Sequence, residues 1–184
     1  MEKDRERWNK KYSEGIYLTE PSESVRKYYV YARGKKALDI AAGTGRNSKF
    51  LVSKGFDVDA LEFSDFAVEK LRQIKGVNVF QVDLDFYTFE EKKYDLIICI
   101  NFLNRNLFSG ICNALKPDGI LIYESIMRGE ETDKLGHNPA YLLNPGELLN
   151  AFNNLEILEY KEFVSRSEGN RPKNKAMLLA KYSR

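Results

Sequence analysis

The segment from Ala37 to Ser48, with the sequence ALDIAAGTGRNS, constrains the fold of this chain more than any other. Its apolar first half is typical of a buried strand in a parallel sheet, and its second half combines a glycine turn with the start of a helix. Such a turn brings bare backbone close to a ligand and directs unpaired helix N–H groups toward it. The cation Arg46 lies in the predicted first helical turn, where it opposes the helix dipole. An anionic or carboxylate-bearing ligand would explain its presence.

Strand and helix patterns alternate through the first two thirds of the chain. The apolar runs predict strands over 36–41, 56–61, 77–82, 94–100 and 119–125. The helical patterns lie over 2–12, 22–32, 46–54, 64–74 and 104–115. Five βα units of this kind predict a parallel sheet with helices on both faces.

The last third of the chain has a different organisation. Residues 127–143 show no clear periodicity, and Asn144 with Pro145 predicts the N-cap of a short helix that ends near residue 152. Strand patterns over 155–164 and 176–182, joined by a loop at 167–172, predict an antiparallel hairpin. The whole chain, 1–184, is therefore predicted to form one α/β domain with a mostly parallel sheet.

Composition limits the class of partner. The formal net charge is +2, which gives no electrostatic case for nucleic acid as a partner. The chain has neither a signal peptide nor an apolar stretch that could span a membrane, so we expect a cytoplasmic protein, either a monomer or a weak homodimer. Cys99 and Cys112 lack metal-ligand spacing, and we expect two reduced core thiols and no metal site.

Polar residues follow four of the predicted strands. Asp39, Glu62, Asp83 and Asn101 lie at the ends of successive strands, and the carboxyl ends of parallel strands share one edge of a sheet. A carboxylate at Glu62 can accept both hydroxyls of a ribose. Asp83 can accept from an adenine amino group while the backbone N–H of Leu84 meets a ring nitrogen. The set predicts an adenosine-bearing ligand.

Two adenosine ligands compete for this site. NAD is disfavoured because Ser48 replaces the third small residue of the dinucleotide fingerprint, and because no hydride-transfer site or second nucleotide-binding half follows. S-adenosylmethionine has no phosphates, but its amino group needs an acceptor and its carboxylate needs a donor. Asp39 and Arg46 can supply these, so the residues favour S-adenosylmethionine.

At this point the chain resembles a known family. Residues 38–45 are similar to motif I of the class I S-adenosylmethionine-dependent methyltransferases, and residues 45–48 with 55–60 resemble the tellurite-resistance (TehB-like) group of small methyltransferases. The resemblance covers nearly the whole chain. It implies a Rossmann-like, seven-stranded sheet with a reversed last strand and a C-terminal antiparallel hairpin.

The resemblance also implies a set of cofactor contacts. These are Asp39, Gly43, Gly45, Glu62, Asp83 and the region of Asn101. We extend the predicted cofactor contacts to Ala41, Arg46, Asn47, Phe63 and Leu84. Ala41 replaces the first family glycine. The segment 100–104 lacks the Asp/Asn-Pro-Pro-Tyr pattern, which argues against methylation of base nitrogens or glutamine.

The catalytic residues are harder to predict. Methyl transfer requires mainly that the nucleophile be held in line, and a base is needed only for a protonated acceptor. His137, Tyr141 and Arg105 are the candidates because their segments are expected to lie over the methyl group. Each also has an ordinary interpretation as a surface residue. Arg105 would clamp an anionic acceptor.

The N-terminal segment, 1–33, has two interpretations. Trp8 and Tyr12 lie one helical turn apart, where they can pack against the core or, as the family's N-terminal segments suggest, cover the cofactor. Three functions remain open. The first is methyl transfer to a small-molecule acceptor, such as a thiol, a chalcogen oxyanion or another small nucleophile, which the absence of an added substrate domain favours. The second is methylation of protein or RNA, and the third is a non-catalytic nucleotide-binding module.

Overall fold

A seven-stranded sheet forms the centre of the structure. The computed structural model describes residues 2–166 and 171–183. In chain order the strands are β1 (Lys36–Ile40), β2 (Asp57–Glu62), β3 (Val77–Gln81), β4 (Tyr94–Ile100), β5 (Leu115–Ile126), β6 (Glu156–Ser165) and β7 (Lys173–Lys181). Their order in the sheet is β3-β2-β1-β4-β5-β7-β6. The first five strands are parallel, and β7 runs antiparallel to both β5 and β6. This topology confirms the predicted sheet with its C-terminal antiparallel hairpin.

Helices cover both faces of this sheet. They are α1 (Glu2–Ser13), α2 (Glu23–Tyr28), α3 (Arg46–Ser53), α4 (Asp65–Arg72), α5 (Phe108–Ala114), α6 (Glu130–Asp133) and α7 (Glu147–Ala151). Side chains of α2 and α3 share one buried apolar cluster with the sheet, whereas those of α5 and α7 share the cluster on the opposite face. Among the described residues, no helix combines the length and apolar character that a bilayer crossing requires.

A loop of residues 82–93 joins β3 to β4, a stretch for which no helix was predicted. Two local predictions were wrong. Strand β5 begins at Leu115 rather than at the predicted residue 119, and its pairing with β4 shifts between Tyr94 and Leu96. Asn144 is not the N-cap of α7, because Gly146 takes that position with φ of 70°. The carboxylate of Glu147 instead accepts from the Asn144 backbone N–H at 2.8 Å. Of the predicted hairpin loop, residues 167–170 lie outside the described part of the chain.

Candidate functional site

The glycine-containing loop between β1 and α3 has an unusual backbone. Ala41, Gly43 and Gly45 all have positive φ, with values of 56°, 57° and 89°. A Cβ at Gly45 would lie 2.5 Å from Ile74 Cδ1 and 2.7 Å from Leu71 Cδ2, so only glycine allows the loop to pack this closely. Ala41 adopts the left-handed conformation despite its Cβ, at a cost of about 1 kcal/mol or more. The packing of neighbouring residues against the loop therefore maintains this backbone conformation.

Glu62 ties this loop to the end of β2. Its side chain is buried, with 6% of the residue exposed. One oxygen, Oε2, accepts the Gly43 N–H at 2.7 Å, and the other, Oε1, accepts the N–H groups of Phe63 and Ser64, both at 2.8 Å. Burial raises the pKa of Glu62, and the three backbone donors oppose that rise. A carboxylate offers about four lone-pair positions. Oε2 therefore has the capacity to accept one further donor, where the sequence predicted two ribose hydroxyls.

Asp39 is the second buried carboxylate of the site. It is 1% exposed, and its Oδ2 accepts the Ser48 hydroxyl at 2.6 Å. Burial raises the pKa of Asp39 to about 7, and the Ser48 hydrogen bond and the Arg46 charge oppose that rise. A bound ammonium group beside this carboxyl would favour its ionised form. Its protonation is therefore poised to respond to a cationic ligand at neutral pH.

Replacing Asp39 with asparagine is expected to remove a pH dependence from the stability. Asp39 has a folded pKa of about 7 against an ordinary value of 3.8, so on raising the pH the unfolded chain loses this proton first. Through this group the free energy of unfolding falls between about pH 4 and about pH 7 and is level outside that window. Urea unfolding of wild type and Asp39→Asn at about pH 5 and about pH 8 tests this. The same pH dependence in both proteins would contradict it.

The first turn of α3 is engaged with the chain that precedes the sheet. Arg46 Nη1 donates to the Glu20 carbonyl at 2.9 Å, and the Asn47 side-chain carbonyl accepts the Ser22 N–H at 2.9 Å. Arg46 also lies close enough to Asp39 to lower the pKa of that carboxyl. Asn47 is buried, and its oxygen is committed to the Ser22 N–H. The sequence predicted cofactor contacts for both residues and did not predict this role in holding the 20–22 segment.

The N-terminal helix α1 lies over the glycine loop. A Cβ at Gly43 would come within 3.2 Å of the Tyr12 hydroxyl. The rings of Tyr12 and Trp8 have centroids 5.4 Å apart, so the two aromatic residues form one unit. Burial and the neighbouring charge of Glu62 raise the pKa of Tyr12 well above its ordinary value. Tyr12 therefore lies against the same loop that Glu62 holds through the Gly43 N–H.

The remaining predicted cofactor contacts lie along the same edge of the sheet. Phe63 directly follows β2 and is half-buried, and Leu84 is 7% exposed. The Asp83 carboxylate accepts the Asp85 N–H at 3.0 Å, which orients it in the loop after β3. Asn101 follows β4 with a φ of 60°, and its N–H donates to the Glu124 carbonyl at 2.7 Å. These residues stay predicted contacts.

Arg105 holds two loops together. Its guanidinium donates to both carboxylate oxygens of Glu147, at 2.6 and 3.0 Å, and to the carbonyls of Ala140 and Leu142, at 2.9 and 3.0 Å. These bonds fasten the segment after β5 to the segment after β4. Tyr141 lies in the segment after β5, and 53% of its surface is exposed. The catalytic assignments of Arg105 and Tyr141 stay predictions, and the structure adds a positioning role for Arg105.

Three basic side chains from distant parts of the chain lie close enough for their charges to interact, and we refer to Lys11, His137 and Lys173 as the cationic group. Burial together with the charges of Lys173 and Lys11 lowers the pKa of His137. Burial and the charges of Lys173 and Arg7 lower the pKa of Lys11. The Lys11 ammonium lies 4.3 Å from the centre of the Trp8 ring. The sequence singled out only His137, because no local pattern indicates that α1, the loop after β5 and the start of β7 converge.

The chain is similar to several known proteins. The family model for the tellurite resistance protein TehB matches residues 1–178. The YqeM protein of Bacillus subtilis (strain 168) is 30% identical over 102 residues, which cover 48% of this chain and 41% of YqeM. TehB of Haemophilus influenzae, described as a probable S-adenosyl-L-methionine-dependent methyltransferase, is 26% identical over 162 residues, which cover 79% of this chain and 57% of that protein.

A crystal structure shares the fold. The structure of TehB from Haemophilus influenzae superposes with a TM-score of 0.77 and 22% identity, covering 94% of this chain and 66% of the other. The chain spans less than two thirds of the length of the two curated relatives, of which it covers 41% and 57%.

Proposed function

This chain belongs to the family of the tellurite resistance protein TehB, whose model matches residues 1–178, and on that premise we propose that it transfers a methyl group from S-adenosylmethionine to a small-molecule acceptor. The observation that carries the proposal is the buried Glu62 carboxylate, which joins the Gly43 loop to the end of β2 and whose Oε2 accepts one backbone N–H and has the lone-pair capacity for one further donor. A ribose hydroxyl is such a donor. The backbone of the Gly43 loop and the carboxyl of Asp39 are groups of the kinds that the remainder of this cofactor needs, donors for its carboxylate and an acceptor for its amino group.

The proposed reaction is an in-line displacement at carbon. The acceptor's lone pair forms a bond to the methyl carbon while the carbon–sulfur bond breaks, and that electron pair remains on sulfur as a neutral thioether, S-adenosylhomocysteine. Because the leaving group is neutral, no acid is needed, and alignment of the acceptor supplies most of the catalysis. A protonated acceptor would also release a proton, for which His137 is the predicted base.

The cationic group supports a small polar acceptor, with an anionic one favoured. The charges of Lys173 and Lys11 lower the pKa of His137, and the charge of Lys173 lowers the pKa of Lys11, so an anion that approaches these side chains would be attracted to them. The family is named for resistance to tellurite, a small oxyanion, which agrees with this electrostatic preference. Chalcogen oxyanions and thiolates are therefore the acceptors to examine first.

We also propose a cytoplasmic location and a monomeric or weakly dimeric state. Both cysteines, Cys99 and Cys112, are free thiols in the described core, as expected in a reducing compartment. Analytical ultracentrifugation of the purified chain tests the oligomeric state.

Calorimetry separates the proposed function from its alternatives. Titration with S-adenosylmethionine and S-adenosylhomocysteine should give binding, whereas NAD and ATP should bind weakly or not at all. A screen of thiols, selenite, tellurite and small amines, with detection of S-adenosylhomocysteine, then identifies the acceptor. Failure to bind the first two ligands would overturn the proposal. Binding without turnover on any acceptor would favour the non-catalytic module, and turnover only on protein or RNA would favour a macromolecular substrate.

Lys11→Met is expected to raise the KM for an anionic acceptor by about tenfold, because a charge-assisted contact contributes about 1.5 kcal/mol or more. The Kd for S-adenosylhomocysteine should change less than about twofold, since the cofactor side of the site keeps its contacts. The matched control is Lys10→Met, which removes the same charge from the exposed neighbouring position. Steady-state kinetics with the acceptor found in the screen measures both. An equal rise in KM for the two variants would contradict a local role for Lys11.

A further inference from the structure

The side chain of Asn9 fastens α1 to the first turn of α4. Its Oδ1 accepts the Ser64 hydroxyl at 2.6 Å and the Phe66 N–H at 3.3 Å, while its Nδ2 donates to Asp65 Oδ2 at 2.8 Å. The first N–H groups of a helix have no partner within that helix and are satisfied by side chains or water. An amide from α1 therefore helps to complete the N-terminus of α4.

The same helix end contacts the predicted ribose carboxylate. Ser64 is the N-cap of α4 and is fully buried; its hydroxyl accepts the Ala67 N–H at 3.3 Å. Its own N–H donates to Glu62 Oε1 at 2.8 Å. Ser64 thus bonds to Asn9 through its side chain and to Glu62 through its backbone. A change in the position of Asn9 is therefore transmitted to the Glu62 carboxylate through one intervening residue, Ser64.

Asn9 also determines where the aromatic side of α1 lies. Tyr12 follows Asn9 by one turn of α1, and its hydroxyl reaches the Gly43 loop. Trp8 precedes Asn9 directly and packs against Tyr12. Because a helix moves as a rigid unit over one turn, the Asn9 bonds fix the distance of Tyr12 from the loop. Without them, α1 retains the exposed Arg5–Asp65 ion pair, at 3.7 Å, as a side-chain link to the same region.

We propose that Asn9 is a positioning residue that holds α1 across the cofactor site, so that docking of α1 and binding of S-adenosylmethionine favour each other. The inference rests on the proposed function for the identity of the ligand. Asn9 acts through Ser64 and Tyr12 rather than by contact with the reacting atoms. The coupling is reciprocal, so cofactor binding tightens the docking of α1 by the same factor that docking tightens the cofactor.

Trp8 provides a direct measurement of α1, because it is the single tryptophan of the chain. In Asn9→Ala, acrylamide quenching of Trp8 fluorescence in the ligand-free protein should increase, because α1 no longer stays docked against the first turn of α4. The Kd for S-adenosylhomocysteine should rise about tenfold, the equivalent of one net hydrogen bond, while kcat changes little. Glu6→Ala, at an exposed position of the same helix, is the matched control and should resemble wild type in both measurements.

A charge exchange separates a specific contact from a general loss of stability. Asn9→Asp keeps the acceptor for Ser64 and Phe66 but sets a carboxylate against Asp65, where the amide now donates at 2.8 Å. This variant should show the same increases in quenching and Kd as Asn9→Ala. Adding Asp65→Asn restores a donor opposite the new carboxylate and should return both values toward wild type. Circular dichroism and Tm establish that each variant is folded.

The outcomes separate this proposal from the proposed function. Wild-type affinity and quenching in Asn9→Ala, with at most a lower Tm, would make Asn9 only a helix cap and overturn the proposal while the function stands. Failure of the double variant to recover would overturn the specific Asn9–Asp65 contact. Failure of the wild type to bind S-adenosylhomocysteine would remove the function, and the quenching series in the ligand-free proteins would still test the docking of α1.

Discussion

Glu62→Gln is expected to weaken S-adenosylmethionine binding by about 100-fold, since hydrogen bonds to a charged group contribute about 1.5–3 kcal/mol each. The carboxylate accepts three backbone N–H groups, from Gly43, Phe63 and Ser64. An amide has only one oxygen, so in either orientation its NH2 group opposes at least one of these donors. The Gly43 loop then loses its tie to β2, and the proposed ribose contact loses its acceptor.

Isothermal titration calorimetry with S-adenosylmethionine measures this effect, with circular dichroism to confirm folding. Glu69→Gln makes the same chemical change on the exposed surface of α4 and should bind as wild type does. A Glu62→Gln protein that binds within about threefold of wild type would show that this carboxylate does not hold the cofactor.

Lys175→Met is expected to lower the free energy of unfolding by about 3–5 kcal/mol, the cost of removing one partner from a buried ion pair. The Lys175 ammonium lies 2.9 Å from Glu124 Oε1, and the two residues are 1% and 6% exposed. The variant leaves the Glu124 carboxylate buried without this ammonium. Because the pair joins β5 to β7 beside the turn after β4, the loss should also loosen the carboxyl edge of the sheet.

Urea unfolding followed by circular dichroism measures the change in stability. The matched control is the double variant Lys175→Met/Glu124→Leu, which replaces both charges with apolar groups next to the apolar cluster that contains Met177 and Ile122. It should recover most of the lost stability, because apolar replacement of a whole buried pair is often neutral or stabilising. A double variant no more stable than Lys175→Met would indicate that the volume of the lysine, rather than its charge, matters here.

The strands could be predicted because their apolar runs are long and continuous. The predicted β4, over 94–100, coincides with Tyr94–Ile100, and the glycine loop after β1 lies where the sequence predicts it. The N-cap at Asn144 was wrong because Gly146, with a φ of 70°, is the N-cap two residues later, while the Glu147 carboxylate that accepts the Asn144 N–H is itself held by Arg105. That arrangement depends on an arginine from a distant loop, which no local pattern reveals.

The candidate site also contains residues that the sequence locates and residues that it does not. The positions of Asp39, Gly43 and Glu62 follow from strand ends, which periodicity locates well. The bonds of Asn9 to Ser64 and Asp65, and the approach of Lys11 to Lys173, join residues far apart in the chain. Each of these is a lone polar residue on an amphipathic element, indistinguishable in the sequence from a solvated one. Only the tertiary position of α1, which lies against α4 and the Gly43 loop, brings them together.

The position of β7 in the sheet has a consequence for synthesis on the ribosome. The strand that carries Lys173 lies between β5 and β6, although it follows both in the chain. Chains emerge from their N-terminus, so the strands that bear Asp39 and Glu62 can associate while β7 is still being made. The gap beside β5 then leaves an unpaired strand edge exposed until the last strand inserts. The proposed cofactor half of the site is therefore expected to form before Lys173 completes the cationic group.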